Sequence, residues 1–435
     1  MTEINFISKP LSTIRGEITV PGDKSISHRS LIFSSIAKGV STIDGFLDGE
    51  DCLATLNAFK SMGVKIHGPV MQRIIIEGVG KHGLQAPKEM IDCGNSGTSI
   101  RLLAGLLAAQ TFDSCLSGDE SLRKRPMLRV SRPLSQMGAD IQTCDGKPPI
   151  IIHGNKRLQG IEYLMPEASA QVKSCILLAG MYASGKTIIT EPAVSRDHTE
   201  RMLKTFSYPL SVVGNRIEIE GKGECKATEL MVPGDISSAA FFIVAASIIP
   251  GANIIIRNVG LNPTRIGVIH ILREMGAKIN VLNQRASGEE EIGDLQIEYS
   301  QLRGITIPES MVSLAIDEFP ILFIAAACAQ GRTILHGARE LRMKESDRIG
   351  SMVQGLTQLG VNAEGFEDGV SIQGGLIKGG EVDSFGDHRI AMSFAIAGAV
   401  ASSPVLIKNC ANVATSFPSF VSTANRLQFQ IEELY

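Results

Sequence analysis

A motif that occurs twice restricts this chain more than any figure of composition. Val20-Pro21-Gly22-Asp23-Lys24-Ser25 in the first half is echoed by Val232-Pro233-Gly234-Asp235-Ile236-Ser237 in the second. Each copy leads into an apolar helix (Leu31 to Ala37; Ala239 to Ile249), then a glycine (Gly39; Gly251) and a strand (Ser41 to Ile43; Asn253 to Ile256). A second helix follows and closes on Met62-Gly63-Val64-Lys65-Ile66 or Met275-Gly276-Ala277-Lys278-Ile279. Recurrence of whole elements at a fixed spacing marks a repeat architecture, in which one unit cannot bury its apolar faces alone.

Fainter copies fill the gaps. Gly94-Asn95-Ser96-Gly97-Thr98, Ser169-Ala170-Gln171, Ile316-Asp317-Glu318-Phe319-Pro320 and Phe385-Gly386-Asp387-His388-Arg389 each precede an apolar helix. Strands then follow at Thr187 to Ile189, Thr333 to Leu335 and Val405 to Ile407. The spacing predicts about six units of roughly 70 residues, each strand, helix, strand, helix, strand. Three units per half predict an α/β fold of two similar domains: residues 1–20 with 233–435, and residues 21–232. The wholly apolar helices would lie at the centre of each domain and half-exposed sheets would cover them. The polar helix starts would then gather at one end of each domain and make an interdomain cleft for anions.

That cleft has a physical basis. A helix start exposes unpaired N–H groups and about half a positive charge, which favours an anion. The first copy places Lys24 and Arg29 on such a start, with Asp23, Ser25 and Ser27 as candidate N-caps. Cations there are disfavoured until something negative arrives. Lys24, Arg29, Arg101, Arg123, Lys124, Arg125, Arg196, Lys344, Arg348 and Arg389 all fall at helix starts or the loops after them, with the acids Asp317, Glu345 and Asp387. One such arginine would be an ordinary solvated charge; the repetition is not. The set predicts substrates bearing phosphate and carboxylate, held by charge-assisted hydrogen bonds of about 1.5–3 kcal/mol each. Asp317 and Glu345 are the candidates for proton transfer.

Other readings are weaker. Lys+Arg 42 against Asp+Glu 45 leaves no global basic field for nucleic acid, and 5% aromatics with no Trp supply no stacking platform. The eight cysteines are scattered without metal-ligand spacing, as small core residues of a reducing compartment would be. The N-terminal Met1-Thr2-Glu3-Ile4-Asn5 has an early acid and no apolar leader, so a cytoplasmic location is expected. The charge-free runs Ile236 to Ile256 and Ile390 to Ile407 contain Pro250 and Pro404, and read as buried helix plus buried strand, not membrane spans. Gly180-Met181-Tyr182-Ala183-Ser184-Gly185-Lys186-Thr187 matches a Walker A string, but it follows a helix and opens a strand, the reverse of a phosphate loop. Gly78-Val79-Gly80-Lys81-His82-Gly83 opens no helix, and His28 and His388 have no nucleophile at a recognisable spacing.

Pro21-Gly22-Asp23-Lys24-Ser25-Ile26-Ser27-His28-Arg29, Gly94-Asn95-Ser96-Gly97-Thr98 with Arg101, Lys124-Arg125-Pro126, Ser169-Ala170-Gln171, Lys344-Glu345-Ser346-Asp347-Arg348 and Asp387-His388-Arg389-Ile390-Ala391-Met392 together resemble the 5-enolpyruvylshikimate-3-phosphate synthase family, in order and over nearly the whole chain. The resemblance implies two domains of three βαβαββ units each around parallel buried helices. It implies transfer of the enolpyruvyl group of phosphoenolpyruvate to the 5-hydroxyl of shikimate 3-phosphate, without metal or organic cofactor. It also implies a monomer with no nucleic-acid or membrane partner. By the same resemblance Lys24 bridges both substrates, Ser25 and Arg29 hold the shikimate part, and Ser169, Gln171 and Arg196 bind its phosphate and ring. Arg125, Arg348 and Arg389 clamp phosphoenolpyruvate beside Asn95 and Gly97. Asp317 accepts the hydroxyl proton, Lys344 contacts that hydroxyl, and Glu345 protonates the methylene carbon.

The pattern departs from the family in one place. Some members have a lysine just before Thr-Phe-Pro near the C-terminus, where this chain has Thr415-Ser416-Phe417-Pro418. Ile316-Asp317-Glu318-Phe319-Pro320, Arg196-Asp197-His198-Thr199 and Ser121-Leu122-Arg123-Lys124-Arg125-Pro126 resemble the divergent bacterial branch. Gly97 leaves its loop open where some inhibitor-tolerant members carry a larger residue, so binding of glyphosate is expected. Two rivals remain. The sister transferase acting on UDP-N-acetylglucosamine carries a reactive cysteine five residues before its Arg-Pro pair, where this chain has Glu120. A non-catalytic phosphometabolite-binding protein on the same scaffold would have no use for Asp317 and Glu345.

Overall fold

In the computed structural model, residues 4–435 are described; the first three residues of the N-terminal reading lie outside them. Six helices are buried around most of their circumference, although Lys24–Ile36 is rich in serine and carries Lys24, His28 and Arg29. They are Lys24–Ile36, Gly97–Leu107, Ala170–Gly180, Ile236–Ile248, Phe319–Cys328 and His388–Gly398. All residues of Ile236–Ile248 are buried, and Phe241, Phe242 and Ile243 have almost no exposed surface. A fully buried side chain of this size contributes about 1.5–3 kcal/mol relative to an exposed one. Close approach is required between Gly97–Leu107 and Ala170–Gly180, since a Cβ on Gly105 would lie 2.1 Å from the carbonyl oxygen of Cys175.

Each core helix belongs to one of six small sheets with a shared plan. In the sheet ordered Ile91–Asp92, Ser114–Ser117, Lys147–His153, Asp140–Cys144, the strands before and after the core helix pair in parallel, and the returning hairpin adds antiparallel. The second helix of each repeat ends at a residue with positive φ: Gly63, Gly138, Ser207, Gly276, Gly360 and Gln428. Glycine takes that left-handed position at four of the six without steric cost.

Three departures from simple tandem order explain the connectivity. Arg15–Thr19 pairs in parallel with Asn253–Gly260, and Glu229–Met231 with Lys38–Asp44, so the two Pro-Gly-Asp copies exchange parallel partners. Asn5–Lys9 pairs antiparallel with both Val405–Lys408 and Gln430–Leu434, so the sixth sheet is completed by the other end of the chain. In the fifth, the leading strand is reduced to isolated parallel bridges, Arg303 to Gln330 and Thr306 to Ile334.

The described residues divide into two compact units. Unit 1 comprises the chain up to Pro21 together with Pro233–Ala286 and Glu291–Tyr435; unit 2 comprises Gly22–Val232 and Ser287–Glu290. Each has one contiguous apolar core. The two charge-free runs are helix followed by strand, as Ile236–Ile248 with Asn253–Gly260, and His388–Gly398 with Val405–Lys408. No helix among the described residues is long and apolar enough to cross a membrane. The Walker-like string ends one helix at Gly180 and opens the strand Lys186–Thr190. Cysteine burial is less uniform than expected: Cys52, Cys93, Cys175, Cys225 and Cys410 are buried, Cys115 and Cys328 partly so, but Cys144 is exposed at a hairpin end.

Candidate active site

In unit 2 the Pro-Gly-Asp turn starts the first core helix as its sequence requires. Asp23 is the N-cap, accepting from the Ile26 N–H at 2.8 Å. Ser25 and Ser27 lie inside the helix and do not cap it; Ser27 accepts from the Leu47 N–H at 3.0 Å. Lys24 places its ammonium 2.6 Å from Asp51. One turn on, the buried Arg29 donates to the Thr199 hydroxyl and the Ser174 hydroxyl at 2.7 Å each, and to the Ser25 carbonyl at 3.0 Å. Those bonds tie the first core helix to Ala170–Gly180 and to His198–Thr205.

A second group joins the next two helix starts. Ser96 caps Gly97–Leu107, and Ser169 caps Ala170–Gly180. Gln171 donates to Thr98 at 3.0 Å and accepts from Arg101. Arg125 donates to Asn95 at 2.7 Å, and Asn95 in turn donates to Asp119 at 2.7 Å. Gly97 sits against both guanidinium groups: a Cβ there would lie 2.9 Å from Nη1 of Arg101 and 3.0 Å from Nη1 of Arg125. Beneath them, His28 meets Thr55 at 2.9 Å, and Thr55 meets Ser99 at 2.6 Å. Burial drives the His28 pKa well below its ordinary value, helped by Lys24 and Arg29, so this imidazole is neutral and structural. Arg196 is half-buried in the loop before His198–Thr205. Lys124 is an exposed partner of Glu120 at 2.7 Å and stands apart from the group.

Unit 1 arranges its helix starts around one arginine. Arg348 opens the helix Arg348–Gln358 and is 1% exposed. Its guanidinium donates to Asp387 at 2.9 Å, Glu345 at 2.5 Å and Asp317 at 3.2 Å. Burial opposes its charge, but Asp387, Glu345 and Asp317 prevail and raise its pKa. For Asp387, burial alone would raise the carboxyl; Arg348 outweighs it, and the carboxyl titrates below its usual range. Asp387 also caps His388–Gly398 by accepting from the Arg389 N–H at 2.9 Å. Arg389 donates to the Asp317 carbonyl at 3.0 Å, and Lys344 lies 3.5 Å from the Asp317 carboxylate and 2.8 Å from Glu340.

The network runs further than the sequence indicated. Arg389 lies 3.8 Å from the buried Glu318, which accepts a short hydrogen bond from Ser237. The buried Arg265 donates to Ser237 at 2.7 Å and to Asp235 at 3.2 Å, so the second Pro-Gly-Asp turn belongs to the same assembly. Sequence reasoning missed Arg265 and Glu318. It also missed Lys173, the one charge in the apolar stretch Val172 to Leu178, a signal of a buried ion pair. Among the described residues no cluster of three or more His, Cys, Asp or Glu is arranged to hold a metal ion.

Helix starts in both units, with the arginine, lysine and carboxylate side chains on and beside them, define a class of α/β enzyme that handles small polyanions. A family model, EPSP synthase (3-phosphoshikimate 1-carboxyvinyltransferase), matches residues 8–423. The 3-phosphoshikimate 1-carboxyvinyltransferase of Legionella pneumophila is 75% identical over 430 residues, 99% of each chain. That of Methylococcus capsulatus is 58% identical over 431 residues, again 99% of each. The solved structure of EPSP synthase from Acinetobacter baumannii superposes with a TM-score of 0.90 at 52% identity, covering 100% of both chains. The chain belongs to the EPSP synthase family, the carboxyvinyltransferases of the shikimate pathway.

Proposed function

We propose that this chain transfers the enolpyruvyl group of phosphoenolpyruvate to the 5-hydroxyl of shikimate 3-phosphate and releases phosphate. Glu345 gives a proton to the methylene carbon of phosphoenolpyruvate, which makes C2 electrophilic. The 5-hydroxyl attacks C2 as Asp317 takes its proton, with Lys344 against that oxygen. In the adduct, a proton leaves the new methyl group for Glu345, the C2–O bond to phosphate breaks with its electron pair, the departing phosphate oxygen takes the proton that Asp317 held, and the double bond re-forms. The step needs no covalent nucleophile; preorganised charge and alignment lower the barrier.

Binding is assigned to both units. Lys24, Ser25, Arg29, Ser169, Gln171 and Arg196 take the shikimate 3-phosphate, and Arg125, Arg348 and Arg389, with Asn95 and Gly97, take phosphoenolpyruvate. Residues 1–20 with 233–435, and 21–232, act as the two domains of a monomer in the cytoplasm. The observation that carries the catalytic assignment is the contact of one buried guanidinium with Asp317, Glu345 and Asp387, which fixes both proposed proton carriers on one cation. The test is phosphate release. It requires both phosphoenolpyruvate and shikimate 3-phosphate and is abolished in Asp317→Ala; release supported by UDP-N-acetylglucosamine instead would assign the chain to the sister transferase.

A further inference from the structure

We infer that Lys173 is a positioning residue for the phosphate-binding side of unit 2. Its ammonium organises the segment from Glu191 to Glu200, and so holds Arg196, and through Thr199 also Arg29, ready for the acceptor's phosphate. The inference rests on the reading of Arg29 and Arg196 as contacts of shikimate 3-phosphate.

Lys173 lies in the core helix Ala170–Gly180 and is 1% exposed. Its Nζ is 2.7 Å from Glu200 and 2.9 Å from Glu191, and donates to the Ser195 carbonyl at 3.4 Å. The Ser195 hydroxyl donates to the other oxygen of Glu191. One cation therefore gathers the beginning, middle and end of a surface segment whose Pro192, Ala193 and Val194 are exposed. Arg196 follows directly after Ser195, and Thr199 directly precedes Glu200.

The position of Thr199 matters because its hydroxyl shares a 2.6 Å hydrogen bond with Ser174 while accepting from Arg29. Ser174 is the neighbour of Lys173 on the helix, so Lys173 to Glu200 and Ser174 to Thr199 are adjacent rungs between the same two helices. Slippage of the first rung would displace the second, and Arg29 with it. Burying three ionisable groups is costly, and an apolar cluster of equal volume is often as stable or more so. Burial lifts the Glu200 carboxyl above its usual range even against the pull of Lys173. Fixed geometry next to a binding segment is what such a cluster supplies and an apolar one would not.

The experiment compares steady-state kinetics on shikimate 3-phosphate and on shikimate, which has no phosphate, in Lys173→Met and in Lys173→Met/Glu191→Gln/Glu200→Gln. The triple variant removes the buried charges with the lysine, so it decides the question if the single variant does not fold. Misplacing a binding group costs affinity for the group it serves, so KM for shikimate 3-phosphate should rise about tenfold while KM for phosphoenolpyruvate moves less than about twofold. The preference for shikimate 3-phosphate over shikimate in kcat/KM should fall by about the same tenfold; a general structural defect would lower both substrates alike. Arg196→Gln and Arg29→Gln are measured alongside. If they lose the phosphate preference and the folded Lys173 variants keep it, the inference is overturned and the contact reading stands. If they keep it, the contact reading falls and the inference with it.

Discussion

The two units hold their arginines differently. In unit 2, Arg29, Arg101 and Arg125 donate to hydroxyl, amide and carbonyl oxygens: Thr199, Ser174 and Ser25, then Gln171, then Asn95. In unit 1, Arg348 donates to three carboxylates, and Arg265 and Arg389 sit beside Asp235 and Glu318. Neutral oxygens orient a guanidinium without cancelling its charge, which suits the capture of phosphate and carboxylate. Carboxylates around a cation can instead carry protons, with the cation compensating each change of charge. On the proposed assignment both units hold anions, Arg348 and Arg389 of unit 1 included, and unit 1 also carries the two proton-transfer residues, Asp317 and Glu345.

The largest expected effect breaks the comparison if it fails. Asp317→Asn and Glu345→Gln should each lower kcat by about 10²–10⁴-fold, the span of general acid–base catalysis, with binding of shikimate 3-phosphate retained in a direct titration. Next is stability. Arg348→Met leaves three carboxylates around an apolar side chain and should cost about 3–5 kcal/mol in denaturant unfolding. Arg29→Met strands neutral hydroxyls and should cost about 1–3 kcal/mol. Equal losses would mean that the acceptors' charge is irrelevant.

A smaller effect is expected at Gly97. In Gly97→Ala the new methyl group must displace the ends of Arg101 and Arg125. KM for phosphoenolpyruvate should rise by about three- to tenfold, and inhibition by glyphosate should weaken with it, while the unfolding midpoint barely moves. A curve for the parent enzyme flat to millimolar glyphosate would contradict the open loop expected at this position.

The smallest effect is in pH. His28 has a folded pKa below its unfolded value, so the unfolded chain binds the extra proton and unit 2 loses stability as pH falls below about 6.5. The Asp387 carboxyl is also depressed in the fold, so its contribution is present above about pH 3.9 and is lost only as pH falls through the lower folded value. Replacing His28 by Asn should flatten the stability slope between about pH 5 and 6.5 and leave the more acid limb unchanged. A slope that survives the substitution would place the mildly acid sensitivity elsewhere.

The repeat was legible because each unit must bury an apolar helix and end it in the same way. Composition and punctuation therefore recur at Met62-Gly63 and Met275-Gly276. Less was readable where pairing is non-local. Nothing in Arg15–Thr19 signals that it pairs with Asn253–Gly260, or in Asn5–Lys9 that it completes a sheet with the C-terminal strands. The candidate residues were legible as types at helix starts, but their partners were not. Arg348 collects acids from three separate segments, and Lys173 closes on residues beyond its own helix. Arg101 read as a helix-start cation, yet it stands a turn inside Gly97–Leu107 and reaches Gln171 on the next core helix. Lys124, in the most basic tripeptide of the set, faces solvent because Glu120, one turn back, satisfies it.

The most direct test of this division is a titration of shikimate 3-phosphate against Glu345→Gln and Arg29→Gln, followed by single-turnover phosphate release on adding phosphoenolpyruvate. Glu345→Gln should bind like the parent and release no phosphate in the time of many parent turnovers, and Arg29→Gln should bind poorly but still release phosphate at saturation. Glu345→Gln turning over at the parent's rate, or Arg29→Gln binding as tightly as the parent, would contradict the division.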